Sequence, residues 1–366
     1  MTRVGYLFNH DYILGGGEIS FLDLISGIRE HDVLPVAFVP AKGEISDRLD
    51  SMGIKWVESP WPHLNPAALL NFPKKVSLTA ELFLKENLDM VHVNGARAML
   101  YAGPASKRSG MPCVWHVRVL ERDFILDRIR AHYASAIIAN SKASAQSLLD
   151  IIGNKHSVEV IYNGFDLDAI DRIKPLDLKK EFGVSDEPVI LCVGRLTRWK
   201  RFQDVIRACS LLRMRNMKFL LLMVGSSTSE ESDYEKELKD LVKAEKTDNV
   251  FFAGWRDDVC AIMKSANVLV LSSKKEPFGR VIVEALACGL PVVATREGGP
   301  EEILKDGSNG LLVPQGDVKA IADAIEKILS DRNLSDCLSM NGIMKAKEFS
   351  IVEYVEEVAS IYKALI

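Results

Sequence analysis

Short apolar runs rich in β-branched residues recur along the chain, each followed by a segment of helical periodicity, and this series runs twice. The first comprises "RVGYLFN" (3–9), "LPVAFVP" (34–40), "MVHVNG" (90–95), "PCVWHV" (112–117), "AIIANS" (136–141) and "VEVIYNG" (158–164). The second restarts at "PVILCVGR" (188–195) and continues through "KFLLLMVG" (218–225), "NVFFAG" (249–254), "VLVLSS" (268–273) and "PVVAT" (291–295). Near-continuous apolar strands alternating with helices belong to parallel sheets covered on both faces. Two such series predict an α/β protein with two doubly wound, Rossmann-like domains. A length of 366 residues suits this, being too long for one ordinary core. The polar stretch 163–188, with two prolines, separates the series. The expected division is 1–168, 169–348 and a closing helix over 349–366. In that last segment Ile351, Val352, Val355, Val358, Ile361, Tyr362 and Leu365 form one apolar stripe, which needs a surface to cover.

Composition narrows the class. A net charge of −4 lacks the basic surplus of a nucleic-acid binder, so no nucleic-acid partner is expected. No apolar run approaches the roughly 20 residues of a spanning helix, and the N-terminus has no signal-peptide core. The six cysteines are scattered without a CxxC, which reads as reduced packing residues in a cytoplasmic protein. The seven histidines show no HExxH or paired metal spacing, so no metal site and no bound cofactor are expected. Segments 72–87 and 118–133 mix apolar and basic residues at helical spacing. They suit either an ordinary domain surface or peripheral contact with the inner face of a membrane. Oligomeric state is not legible.

Several stretches can carry chemistry. "LGGGEISFLDLISGIRE" (14–30) is a Gly-rich turn opening a helix, whose bare N–H groups suit a phosphate or simply a flexible loop. It is not the GxGxxG fingerprint, which disfavours a nicotinamide dehydrogenase. "VGRLTRWK" (193–200) sends Arg195 and Lys200 off the end of a strand, with Arg198 and Arg201 nearby, a grouping that fits a diphosphate or a solvated basic loop. In "SSKKEPFGRVIVEALACG" (272–289), Glu276 and Glu284 stand eight positions apart around a helix start expected at Phe278-Gly279. Val281, Ala285 and Cys288 are expected to share one face of that helix, with Ile282 and Leu286 beside them. The two carboxylates suit a ribose and a hexose hydroxyl; a glycosidase acid/base pair is the competing use. His116, ending its strand, suits a ligand contact, and His92 a satisfied, partly buried position. "GGP" (298–300) reads as a tight turn into a helix.

With these residues in view, the chain resembles the retaining GT-B-fold glycosyltransferases of family 4, the glycosyl transferases group 1. The most specific element is E-x7-E, Glu276 to Glu284 within "EPFGRVIVEALACGLPVVAT". "GGGE" (15–18), "YNGFD" (162–166), "VGRLTRWK" (193–200), "FAGWRDDV" (252–259) and "GGPEEILKDGSNGLLVP" (298–314) support it. The resemblance implies two Rossmann-like domains facing a cleft, with the final helix crossing back to the first. The first domain would bind an acceptor (a glycan, a lipid-linked or a small molecule), and the second a nucleotide-diphosphate sugar. It assigns Arg195 and Lys200 to the diphosphate, Glu284 to the ribose, and Glu276 with the Phe278-Gly279 backbone to the transferred sugar. Gly15 and Gly16 would close on phosphate, His116 would touch the sugar near its anomeric carbon, and Trp255 would border the nucleobase. A metal-independent, retaining hexosyl transfer for cell-surface glycan or glycoconjugate biosynthesis follows. A sugar-nucleotide epimerase and a non-catalytic scaffold are the alternatives. Two positions depart from the family pattern. Gly225-Ser226-Ser227 replaces a Gly-acid-Gly turn, and Val117-Arg118 follows His116, where Arg118 suits an anionic acceptor or a salt bridge.

Overall fold

The computed structural model describes every residue except 64, 155, 184–186, 229, 230 and 248. Three residues of the 163–188 stretch therefore lie outside the described residues. The chain divides into two compact units, Met1–Phe165 with Ile351–Ile366, and Asp166–Ser350.

The first unit is built on a parallel sheet. Its strands are β1 (Thr2–Phe8), β2 (Val33–Val39), β3 (Lys55–Glu58), β4 (Met90–Asn94), β5 (Cys113–Val117), β6 (Ala136–Ala139) and β7 (Glu159–Val160). Their spatial order is β3-β2-β1-β4-β5-β6-β7. Successive side chains of a strand go to opposite faces, and the two faces carry separate apolar clusters. Leu7, Val91, Val93 and Trp115 pack on one side. Tyr6, Phe8, Met90 and Val114 pack on the other, with Phe21 and Leu24 of the helix Gly16–Gly27 and with Tyr354, Val355, Val358 and Tyr362. The C-terminal helix Ile351–Leu365 thus finds its surface on the first unit. The register pairs Tyr6 with His92 and Asn94 with His116, so both histidines lie on the face that this helix covers.

The second unit has the same plan, with strands β8 (Val189–Val193), β9 (Leu220–Val224), β10 (Val250–Gly254), β11 (Val268–Leu271), β12 (Val292–Thr295) and β13 (Leu311–Val313). Their order is β10-β9-β8-β11-β12-β13, every pair parallel. Strands β8, β9, β11 and β12 are buried throughout, as their unbroken apolar runs require. Strand order reverses between β1 and β4 and again between β8 and β11. Loops leaving adjacent strands diverge there and open a crevice at the carboxyl ends.

The structure revises four expectations. The run 158–164 pairs only at Glu159–Val160, because β7 is an edge strand with one neighbour. Strands β3 and β13 were not foreseen, being a half-polar edge and a three-residue run. The helix expected at Phe278 begins at Arg280, since Gly279 takes a left-handed conformation (φ 94°) as its cap. In that helix Ala285, with Ile282 and Leu286 beside it, is fully buried, and Val281 and Cys288 are half-buried. Of the segment 118–133, only Leu126–Tyr133 is helical. Among the described residues, no helix is long and apolar enough to cross a membrane.

Candidate active site

In the second unit the crevice at β8/β11 holds the E-x7-E series. Lys200 Nζ donates to Glu276 Oε2 at 2.6 Å, with the side chains only 11% and 9% exposed. Neighbouring backbone builds this pair. The Ser272 hydroxyl donates to the carbonyls of Lys200 and Arg201, each at 2.9 Å, and Lys274 N–H bonds Trp199 O at 2.7 Å. These contacts lock the loop after β8 to the loop after β11. The Lys200 ammonium also sits 4.4 Å from the centre of the Trp199 ring. The pair is desolvated, so each charge depends on the other.

The four cations of the β8 loop separate. Arg198 makes two bonds to Glu237, at 2.8 and 2.6 Å, and faces solvent. Arg201, itself left-handed (φ 54°), is tied to buried Asp204 at 2.6 Å. Arg195 is half-buried at the end of β8 and has no carboxylate partner among the described residues. Of the four, Lys200 is the one paired with Glu276, and Arg195 the one left without a carboxylate among the described residues.

Glu284 lies one turn into the helix Arg280–Ala287, with its Oε1 3.4 Å from Arg280 Nε. Phe278 is buried and meets Phe349 edge to face, so its side chain packs. Gly299 N–H bonds Glu276 O at 2.9 Å, and Glu276 and Gly298 form a β-bridge, so the "GGP" turn supports the Glu276 loop. Trp255 is exposed beyond edge strand β10, its Nε1 3.4 Å from Asp257. Gly225 keeps the first position of the altered turn for a steric reason: a Cβ there would stand 2.0 Å from Gly194 O.

In the first unit, the turn at Gly15-Gly16 opens the helix Gly16–Gly27 beside the β1/β4 switch, and Gly15 N–H donates to Glu18 Oε2 at 3.1 Å. His116, next to last in β5, is fully buried. Arg118 neither faces solvent in a salt bridge nor stands alone. Its Nε donates to Asn94 Oδ1 at 2.7 Å, its Nη1 to Asn163, and its Nη2 to Tyr354 Oη at 2.9 Å and to His116 Nδ1 at 3.3 Å. Asn163 belongs to "YNGFD", which the sequence marked as a motif without a task. Asn94 and Tyr354 carried no local signal.

His92 is satisfied, as expected, between Tyr362 Oη at 2.5 Å and His116 Nδ1 at 3.1 Å, and it is fully buried where partial burial was expected. Burial pushes both imidazoles well below their ordinary pKa, and the charge of Arg118 adds in the same direction. The sign follows. Below about pH 6.5 the unfolded chain protonates these histidines while the folded chain resists. Stability is therefore expected to fall with acid by about 1.4 kcal/mol per pH unit for each. Urea unfolding between pH 8 and 5 checks this, and His92→Gln should flatten the slope; an unchanged slope contradicts it.

Comparison with known proteins bears on both units. The family model for glycosyl transferases group 1 matches residues 174–344, and that for glycosyltransferase family 4 matches residues 14–169. The lipopolysaccharide core biosynthesis glycosyltransferase LpsE of Rhizobium meliloti is 31% identical over 331 residues, 90% of this chain and 89% of that one. Anabaena Alr3699/HepE, solved in complex with UDP and glucose, superposes with a TM-score of 0.88 at 26% identity over 100% of both chains. The sucrose-phosphate synthase of Thermosynechococcus elongatus shares the fold, with a TM-score of 0.82 at 22% identity over 100% of this chain and 99% of that one.

Proposed function

As a chain that belongs to glycosyltransferase family 4 and has the two Rossmann-like units of the GT-B fold, it is a glycosyltransferase of glycan biosynthesis, and we propose that it transfers a hexosyl group from a nucleotide-diphosphate sugar to an acceptor hydroxyl with retention and without a metal. The observation that carries this reading is the buried Lys200–Glu276 pair at the β8/β11 switch. Binding of UDP and glucose by Alr3699/HepE supports a nucleotide-sugar donor.

In this reading Arg195 and Lys200 take the charge that grows on the leaving diphosphate, in a preorganised and largely desolvated setting. Glu276, freed from Lys200, accepts from the sugar hydroxyls. Glu284 accepts from the ribose, and Trp255 borders the base. Gly16, and Gly15 once its N–H is released from Glu18, offer backbone N–H groups to phosphate, and His116 contacts the sugar. The bond from the anomeric carbon to phosphate oxygen breaks as the bond to the acceptor oxygen forms on the same face. The acceptor proton passes to the leaving phosphate oxygen, giving a glycoside and a nucleoside diphosphate. The first unit is assigned the acceptor and the second the donor. Peripheral contact with the inner membrane face is part of the same proposal, supported by exposed Leu69, Leu70, Phe124 and Ile125.

The test is a thermal-shift panel of UDP, GDP and ADP, followed by donor and acceptor arrays with and without EDTA and product analysis by NMR. One nucleotide is expected to raise the Tm, with EDTA-insensitive transfer that keeps the donor's anomeric configuration. An inverted product, a metal requirement, or a sugar epimerised while still on its nucleotide would each overturn the corresponding part. Co-sedimentation with anionic vesicles tests the membrane contact.

A further inference from the structure

The neutral imidazole of His116 has two nitrogens, and its surroundings settle which one carries the proton. Arg118 Nη2 lies 3.3 Å from Nδ1. A guanidinium offers donors and no acceptor, so Nδ1 must present its lone pair. His92 Nε2 approaches the same Nδ1 at 3.1 Å and must therefore donate. The two rings are 16° from parallel with centres 5.3 Å apart. That separation exceeds the N···N distance by close to two ring radii, so the rings meet end to end along the lone pair, not face to face. With its proton on Nε2, His92 keeps Nδ1 bare, and Tyr362 Oη donates to it at 2.5 Å. The nitrogen left over is His116 Nε2, which is buried and has no partner among the described residues. Buried polar groups are almost always hydrogen-bonded, and an orphan calls for an explanation.

We propose that Arg118 is a positioning residue that fixes a one-way relay, Tyr362 to His92 to His116, and so holds His116 as the Nε2–H tautomer. His116 then presents a hydrogen-bond donor and cannot act as a base. The C-terminal helix holds both ends of the device, since Tyr354 receives Arg118 Nη2 and Tyr362 starts the relay. The reverse order, with a proton on His116 Nδ1, would set that proton against the guanidinium. A doubly protonated ring would add a second buried cation beside Arg118. Burial and the Arg118 charge both favour the neutral ring. Resting on the glycosyltransferase reading, the relay further says what His116 gives the sugar once its buried Nε2 is uncovered: a proton donor to an oxygen lone pair, with the acceptor's own proton leaving by another route.

Tautomers are read directly by two-bond 15N–1H correlation spectra of the full chain labelled at histidine, with His116→Gln and His92→Gln supplying the assignments. In the unsubstituted protein at pH 7.5, both rings are expected as pure Nε2–H. Arg118→Met removes the donor that sets the direction, and is expected to bring at least a third of His116 into the Nδ1–H form. The same change should lower kcat by ten-fold or more with KM for the donor moving less than three-fold. Arg118→Lys, which also only donates, should return the spectrum toward the original. An Nδ1–H or imidazolium His116 in the unsubstituted protein overturns the relay, as does a folded Arg118→Met protein with an unchanged spectrum. Should Arg118→Met fail to fold, the spectrum of the unsubstituted protein decides alone. The spectrum needs no turnover, so an inactive chain with Nε2–H at His116 counts against the transfer reading and leaves the relay standing.

Discussion

Lys200→Ala is expected to lower kcat/KM for the donor by about 10²- to 10³-fold, the usual effect of losing one preorganised group that stabilises developing charge. It is also expected to destabilise the fold by about 3–5 kcal/mol, because it leaves the Glu276 carboxylate buried without its partner. Glu276→Ala should fall in the same range on both measures. The two losses separate in the double variant. Removing both charges takes away the uncompensated group, so Lys200→Ala with Glu276→Ala should recover much of the stability and none of the activity. Urea unfolding and initial rates on the four proteins complete the cycle. A single variant with near-normal transfer removes the proposed donor role. A double variant no more stable than the singles removes the claim that the pair is a mutually dependent buried unit.

Much of this arrangement was legible in the residues, for identifiable reasons. Fully buried parallel strands announce themselves as apolar runs, and β8, β9, β11 and β12 were visible because both of their faces are covered. The amphipathic stripe of 351–365 advertised a missing surface, and the first unit supplies it. Spacing relative to strand ends put Lys200 and Glu276 in two loops that the structure joins by an ion pair. Edge strands were harder. In β3, "KWVE" is half exposed, and β13 is three residues long, so neither shows a period.

Charge partners were harder still. Arg198, Lys200 and Arg201 look alike in sequence, yet one binds Glu237 on the surface, one Glu276 in the crevice and one Asp204 beneath it. Those choices depend on Ser272 and on the left-handed backbone at Arg201, which no local pattern encodes. The His92–His116–Tyr362 contacts join residues up to 270 positions apart and follow only from strand register and the placement of the last helix.

Gly299→Ala should be as damaging to transfer as a change in the crevice itself, although residue 299 is assigned no contact with substrate. Its φ of −54° is one that alanine adopts freely, so backbone strain is not at issue. The obstacle is space: a Cβ would stand 2.3 Å from Phe278 O and 2.4 Å from Phe278 Cα. Both are backbone atoms that cannot rotate aside. The loop carrying Glu276 and the turn carrying Gly299 must then separate, which strains the 2.9 Å bond from Gly299 N–H to Glu276 O. Overpacking of this kind costs about 1–3 kcal/mol of stability. The larger effect is positional. Displacing Glu276 and the Phe278-Gly279 backbone by about 1 Å is enough for a loss on the order of 10²-fold in rate. Gly110→Ala supplies the contrast. At φ 71° with nothing within 4 Å of its Cβ, alanine there meets backbone strain without crowding, and lies outside both candidate sites. It should cost about 1 kcal/mol and leave kcat and KM unchanged. If Gly299→Ala transfers sugar as fast as Gly110→Ala, the turn at 298–300 is not what holds the Glu276 loop in place, and the site must be supported from the β8 side alone.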